Sequence, residues 1–322
     1  MYLDLPEGKI ALDEKDKDAD LIFISHAHSD HIRGAKSGKR IIASKETEEL
    51  IKARNNISIN LSDESRFTLL NAGHILGSKQ IYIESSLGYS ILYTGDYQLQ
   101  ESCVAPKIEH KKSDVLIIDS TYPYMNVKFD DREEVEESIK KYVSCKLEKG
   151  IVLFNSYSLG KAQELIKIMN EIGILPVVDK TISKVNKVYN SFGANLEYVS
   201  IYDNEEEFNS IVKNNFVGIV STSNFEELAR NVGIAYRKRV FTAVATGFAK
   251  IFKFNTNVQF ALSDHADIYQ AVEYINMVEP KVVYTYGPNS RLMSANLSKF
   301  GISSTPFSEA KQISIAKNKE RL

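Results

Sequence analysis

Two cysteines, Cys103 and Cys145, are all that 322 residues contain, and neither sits in a Cys-x-x-Cys pair or beside a histidine motif. A disulfide framework and a thiolate zinc site are therefore not expected, and a reducing cytoplasm is the simplest home. The sequence also lacks any run approaching about 18 uninterrupted apolar residues, so no membrane span is expected. Its opening Met-Tyr-Leu-Asp-Leu-Pro-Glu shows no basic stretch followed by an apolar one, so no signal peptide is expected and the chain reads as mature, folded protein. Excess charge of one sign is missing too: the formal net charge is −2, so any attraction for nucleic acid must be local. What remains is a soluble-type composition, 43% hydrophobic, long enough for one large domain or two of about 150 residues.

Up to about residue 120, short apolar runs alternate with turns, the pattern of strands: Lys9–Leu12, Leu21–Ser25, Phe67–Asn71, Gln80–Glu84, Tyr89–Thr94 and Val115–Ile118. Gly88 suits a hairpin that would place Thr94-Gly95-Asp96 at a strand end. From Asp131 the rhythm changes to helix-like and strand-like segments in alternation, the mark of a parallel α/β sheet. These include strand-like Leu175–Val178, Glu197–Ser200 and Val217–Val220, and helix-like Lys161–Ile172 and Ile182–Phe192. After Arg239 strands return at Val240–Val244, Val258–Leu262 and Lys281–Tyr286, with helices at Ala266–Met277 and Ser290–Phe300. The basic tail Lys317-Asn318-Lys319-Glu320-Arg321 reads as a solvated end rather than a binding arm.

Five of the six histidines fall in three short motifs. The densest, His26-Ala27-His28-Ser29-Asp30-His31, follows a predicted strand. Alternate positions on a strand tip point to one side, so His26 and His28 can share a metal, and Asp30 and His31 can serve a second. Ala72-Gly73-His74-Ile75-Leu76-Gly77-Ser78 supplies a third histidine between glycines. Alone, His74 is as consistent with a structural histidine as with a ligand; beside the first cluster it reads as a ligand. Asp96 is either a turn aspartate or a carboxylate able to bridge two metals. Asp13 is either a surface-turn residue or a group that orients a ligand histidine. His265 makes chemical sense only beside ligands far upstream, so the α/β segment reads as an insertion into a discontinuous first domain.

Ser156, Ser158 and Lys161 lie where a strand meets a helix N-terminus, a place suited to phosphate or the nucleic-acid backbone, although the P-loop spacing is absent. Arg237-Lys238-Arg239 and Lys36, Lys39 and Arg40 either line a groove or form solvated faces.

The histidine cluster, the Ala72–Ser78 motif and Thr94-Gly95-Asp96, in this order, resemble the metallo-β-lactamase fold. Asp119-Ser120-Thr121-Tyr122, the inserted segment and Ser263-Asp264-His265-Ala266-Asp267 resemble its β-CASP nuclease branch. The stretches Tyr93–Cys103, Ser156–Gln163 and Leu262–Asp267 are most similar to ligase-associated DNA exonucleases and archaeal mRNA 3′-end-processing-factor-like proteins.

The resemblance implies a four-layer αββα domain over residues 1–122 and 238–322, with a parallel α/β β-CASP domain inserted at 123–237. It also implies a zinc-dependent nuclease of phosphodiester bonds, expected to act as a DNA exonuclease on single-stranded ends. An RNA-processing endo- or exoribonuclease is the alternative; a small-molecule metallo-hydrolase or an inactive binding subunit rank below it. Carried onto this sequence, His26, His28 and His74 hold one zinc, Asp30 and His31 the other, and Asp96 bridges them, with manganese as a substitute. Asp30, Asp119 and His265 form the catalytic set, in which His265 protonates the leaving 3′-oxygen and Asp119 orients it. One departure stands out. Tyr284-Thr285-Tyr286-Gly287 puts a tyrosine where many RNA-cleaving members have a last metal-ligating histidine, which weakens the expected second site and leans the substrate toward DNA rather than RNA, while the inserted domain implies a narrow site that favours single-stranded DNA or RNA.

Overall fold

The computed structural model describes residues 1–6 and 8–309; the basic tail at 317–321 lies outside the described residues. In chain order the strands are β1 (Tyr2–Leu5), β2 (Gly8–Leu12), β3 (Leu21–Phe23), β4 (Arg40–Ile42), β5 (Asn60–Leu61), β6 (Phe67–Asn71), β7 (Lys79–Glu84), β8 (Ser90–Tyr93), β9 (Val115–Asp119), β10 (Ile151–Asn155), β11 (Val177–Val178), β12 (Val217–Val220), β13 (Val240–Ala245), β14 (Val258–Phe260), β15 (Val282–Tyr286) and β16 (Ser304–Pro306). The α-helices are α1 (Lys45–Asn55), α2 (Arg132–Leu147), α3 (Lys161–Glu171), α4 (Lys180–Ser191), α5 (Glu205–Ile211), α6 (Phe225–Tyr236), α7 (Ile268–Val278) and α8 (Ser290–Leu297). The fold is mixed α/β, and the chain divides into two compact units.

Among the described residues, the first unit takes 1–6, 8–101, 105–128 and 265–309. It contains a five-stranded sheet in the order β1-β2-β3-β4-β5 and a six-stranded sheet in the order β16-β15-β9-β8-β7-β6. The period of two along β7, β8 and β9 explains how the second sheet is buried on both faces. Ile81, Ile83, Ile91, Tyr93, Val115 and Ile117 share a core with Leu3, Ile10, Leu12 and Phe23 of the first sheet. Their alternates Tyr82, Leu92, Leu116 and Ile118 pack on Ile268, Tyr274 and Ile275 of α7 and on Met293 and Leu297 of α8. Short apolar runs without polar alternation are what a doubly covered sheet requires. The expected hairpin forms between β7 and β8 in antiparallel register, with Gly88 at φ +82°.

A sheet-rich start with little helix was expected, yet α1 forms. Its apolar Leu50 and Ile51 are too few for a clear periodic signal, and its ends come from local chemistry. Ser44 accepts a hydrogen bond from the Thr47 N–H at the N-cap, and left-handed Asn56 donates to the Lys52 carbonyl.

The second unit takes residues 102–104 and 129–264 and is built on an all-parallel sheet in the order β11-β12-β10-β13-β14. Its core includes Ile151, Leu153, Phe216, Phe225 and Ala229. Two expectations differ here. The return to the first domain was placed at residue 238, but β13 pairs with β10 from Ile151↔Val240 to Asn155↔Val244, and β14 pairs with β13. The crossing therefore falls between Asp264 and His265. An apolar run reports that a strand is buried, not which sheet supplies its hydrogen bonds. Glu197–Ser200, expected as a strand, contributes only the isolated bridge Val177–Val199. Among the described residues, no helix is long and apolar enough to cross a membrane.

Candidate metal and catalytic centre

Every residue of the centre lies just beyond, or on the last residue of, a strand of the first unit, save His265, which precedes α7. The histidine cluster follows β3, His74 follows β6, Asp96 follows β8, and Asp119 closes β9. Strand ends of this kind leave side chains free of the ladder while the sheet holds their backbones rigid. Glycine is required where the loops meet: Gly95 has φ +55°, and a Cβ on it would stand 2.6 Å from Ser25 Cβ.

His26 Nε2 and His28 Nδ1 are 3.0 Å apart, and His28 Nδ1 and His74 Nε2 are 3.1 Å apart. With Asp96 they form one group whose donor atoms all lie within 4.8 Å of one another. Nitrogens bound to tetrahedral zinc at 2.0–2.1 Å would stand about 3.3 Å apart, so three imidazoles and a carboxylate at this spacing fit such an ion. Asp96 Oδ2 is the focus. It lies 3.5 Å from His26 Nε2, 3.4 Å from His31 Nε2, 3.8 Å from His74 Nε2 and 3.9 Å from His265 Nε2. Burial alone would raise the Asp96 carboxyl, but the His31, His265 and His26 rings outweigh it and hold it well below the usual carboxylate range. Burial, reinforced by the neighbouring His31, sets His26 well below the ordinary imidazole value, which keeps its lone pair available.

Asp13 is not a surface residue. It is 1% exposed, with φ +54°, and it organises the wall behind the histidines. Its carboxylate accepts hydrogen bonds from the Ser25 N–H at 2.7 Å, Ser25 Oγ at 2.7 Å, His31 Nδ1 at 2.9 Å and Tyr93 OH at 2.8 Å. Because a carboxylate only accepts, the His31 proton sits on Nδ1 and Nε2 turns toward Asp96. Ser25 Oγ, already donating to Asp13, can only accept from His26 Nδ1 at 3.0 Å, which leaves His26 Nε2 facing the centre. Burial would lower His31, but Asp96 and Asp13 together hold it well above the ordinary value. Removing this carboxylate orphans four buried donors. Asp13→Ala is expected to lose about 3–5 kcal/mol of stability and about 10–100-fold in metal affinity. Urea denaturation and metal titration check both; unchanged metal affinity would deny Asp13 any orienting role.

A second group brings Asp96, Asp119 and His265 within the same 4.8 Å limit. His265 Nδ1 lies 3.2 Å from Asp119 Oδ2, and Asp119 Oδ1 accepts from Thr121 Oγ1 at 2.9 Å. Burial and the Asp96 charge push the Asp119 carboxyl up, against the pull of the His265 ring.

Other expected residues are placed differently. The Asp30 side chain is 69% exposed, its Oδ2 stands 3.7 Å from His31 Nε2, and it falls outside both tight groups. Tyr286 pairs with Asp119 across β15 and β9, its ring edge-on to Tyr93. Burial, and then the Asp13 charge, push its phenol up to about 12, so it stands neutral near pH 7. Lys161, expected to meet phosphate, is 2% exposed and bound at 2.6 Å to both Glu164 and Asp264. That closes it to a ligand. Ser158 is buried and Ser156 half-buried, its hydroxyl directed to the Tyr157 carbonyl at 3.3 Å. Arg237 and Arg239 are exposed and Lys238 caps the Lys213 carbonyl, whereas Arg40 is paired with Glu64. Ser25 and Tyr93, which build the wall, and Thr121, which holds Asp119, were given no role from the sequence because a hydroxyl beside a motif carries no signal of its own.

Fold and side chains together set a histidine–aspartate cluster that could hold a metal ion at the strand ends of a mixed α/β unit. No family model matches the chain. It is 26% identical to a "Probable DNA ligase" of Opitutus terrae over 91% of this chain and 29% of that protein. It is 28% identical to "Probable RNase MJ4" of Methanocaldococcus jannaschii over 69% of this chain and 61% of the relative. It is 31% identical to "Cleavage and polyadenylation specificity factor 73" of Drosophila melanogaster over 53% of this chain and 29% of the relative. These relatives are β-CASP metallo-β-lactamase nucleases. The chain spans less than two thirds of the length of each of these three relatives.

Proposed function

We propose that the chain is a metal-dependent nuclease that hydrolyses phosphodiester bonds, with its first unit a four-layer αββα metallo-β-lactamase domain and its second the β-CASP domain. The observation that carries this is Asp96 Oδ2, set 3.4–3.9 Å from four imidazole nitrogens, one of which belongs to the Asp119-bound His265. His26, His28, His74 and Asp96 would hold one zinc ion, and Asp96, His31 and the exposed Asp30 a second, weaker one. Zinc bound here supplies a Lewis acid for a non-bridging phosphate oxygen and acidifies a water.

The chain's own residues do the rest. Asp13, through Ser25 and His31, fixes which ring nitrogens face the centre. Asp119 holds the His265 Nδ1–H, so Nε2 is the atom that gives a proton to the leaving 3′-oxygen. Neutral Tyr286 adds no charge where a further imidazole would strengthen the second position. The preferred substrate is single-stranded DNA, degraded from an end; relatives named as RNases make RNA the competing reading.

The test is digestion of matched single-stranded DNA and RNA oligonucleotides, labelled at either end, with added Zn²⁺ or Mn²⁺ and with chelator. Chelator-sensitive loss of DNA from one end is the expected result. Cleavage confined to RNA moves the protein to RNA processing, and intact strands with strong lactone turnover overturn the nuclease reading.

A further inference from the structure

Gln98 lies two residues past Asp96 and has no exposed surface. Its backbone N–H donates to the Ala72 carbonyl at 3.0 Å. Its side-chain amide donates to the His265 carbonyl at 2.8 Å, and Oε1 accepts from the Leu99 and Gln100 N–H groups at 2.7 and 3.0 Å. Its own carbonyl lies against Gly73, which has φ +75° and where a Cβ would come within 2.2 Å of that oxygen. Next to it, the Tyr97 carbonyl accepts from the Ala266 N–H at 2.9 Å. One short segment thus grips the loop of His74 on one side and the peptide of His265 on the other.

The Asp119 contact at Nδ1 sets the tautomer of His265, and the neighbouring His74 and Tyr122 rings set its tilt, but neither fixes where its main chain stands. The distance of Nε2 from Asp96, 3.9 Å, depends on where the main chain of residue 265 is held. A buried primary amide serving only to fill space would be replaced at little cost by an apolar side chain of the same shape. Here its donor instead satisfies the carbonyl of a residue 167 positions away in sequence.

We propose that Gln98 is a positioning residue for His265, fixing the reach of the proton donor toward the leaving oxygen. The role rests on reading His265 as the general acid. It has a signature that a purely structural residue lacks: a leaving group stable as an anion needs no proton, so misplacing the acid spares it.

The experiment compares zinc-loaded wild type, Gln98→Met, Gln98→Glu and His265→Ala on a dinucleotide and on bis(p-nitrophenyl) phosphate, with metal content measured throughout. Gln98→Met is expected to lower kcat on the dinucleotide by about 10–100-fold with KM little changed, while p-nitrophenolate release stays within about twofold. Gln98→Glu keeps the shape and the Oε1 acceptor but lacks the donor, so it should show the same selectivity even if the methionine variant does not fold. Wild-type metal content is expected in both. Equal losses on the two substrates, no loss on either, or loss of zinc from a folded Gln98 variant overturns the positioning role. If His265→Ala itself shows no leaving-group dependence, the general-acid reading fails and the role of Gln98 falls with it.

Discussion

Asp96→Asn is expected to reduce cleavage by at least about 10³-fold and to weaken metal binding by about 10–100-fold or more. The substitution keeps the side chain's shape and removes only its charge. That charge is what four converging imidazoles share, at 3.4–3.9 Å from one oxygen atom. Without it His26, His31 and His74 crowd one another in a desolvated wall, and no anionic oxygen remains among them to help hold a cation. Turnover of a labelled oligonucleotide, metal analysis, and the shift in Tm on adding zinc together check the expectation. Retained activity with full zinc content would remove Asp96 from the centre.

His265→Ala is expected to separate chemistry from metal binding: zinc content stays at the wild-type level while cleavage slows by about 10²–10⁴-fold, the usual worth of a positioned general acid. The separation follows from geometry. His265 shares a tight group with Asp96 and Asp119, but His26, His28 and His74 complete theirs without it. Asp119→Ala should act in the same direction and less strongly, since it frees the ring rather than deleting it. Zinc loss as large as in Asp96→Asn would show that His265 is a ligand instead.

Much of the fold was legible in the sequence where one physical signal dominates. The apolar runs of β7 to β9 and the helix-like rhythm beginning at Asp131 announced themselves, because burial leaves a pattern in neighbouring residues. Short elements did not. α1 is set by a Ser44 cap and a left-handed Asn56, and β4 and β5 are too brief for any period. Lys161 illustrates the reverse error: a lysine at a helix start reads as a phosphate ligand, yet its surroundings decide, and Glu164 and Asp264 neutralise it in the interior.

The sequence by itself pointed to the imidazole and carboxylate side chains, their order along the chain and the strand ends that carry them, because a metal site would need such groups at close spacing. It also pointed to an α/β segment inserted at 123–237. Only the tertiary structure decided the rest. It buried Asp13 behind Ser25, His31 and Tyr93, left Asp30 exposed, carried the second unit on to Asp264, and set Gln98 against the His265 carbonyl. Those facts depend on contacts between residues far apart in the chain, and such contacts leave no local period to read.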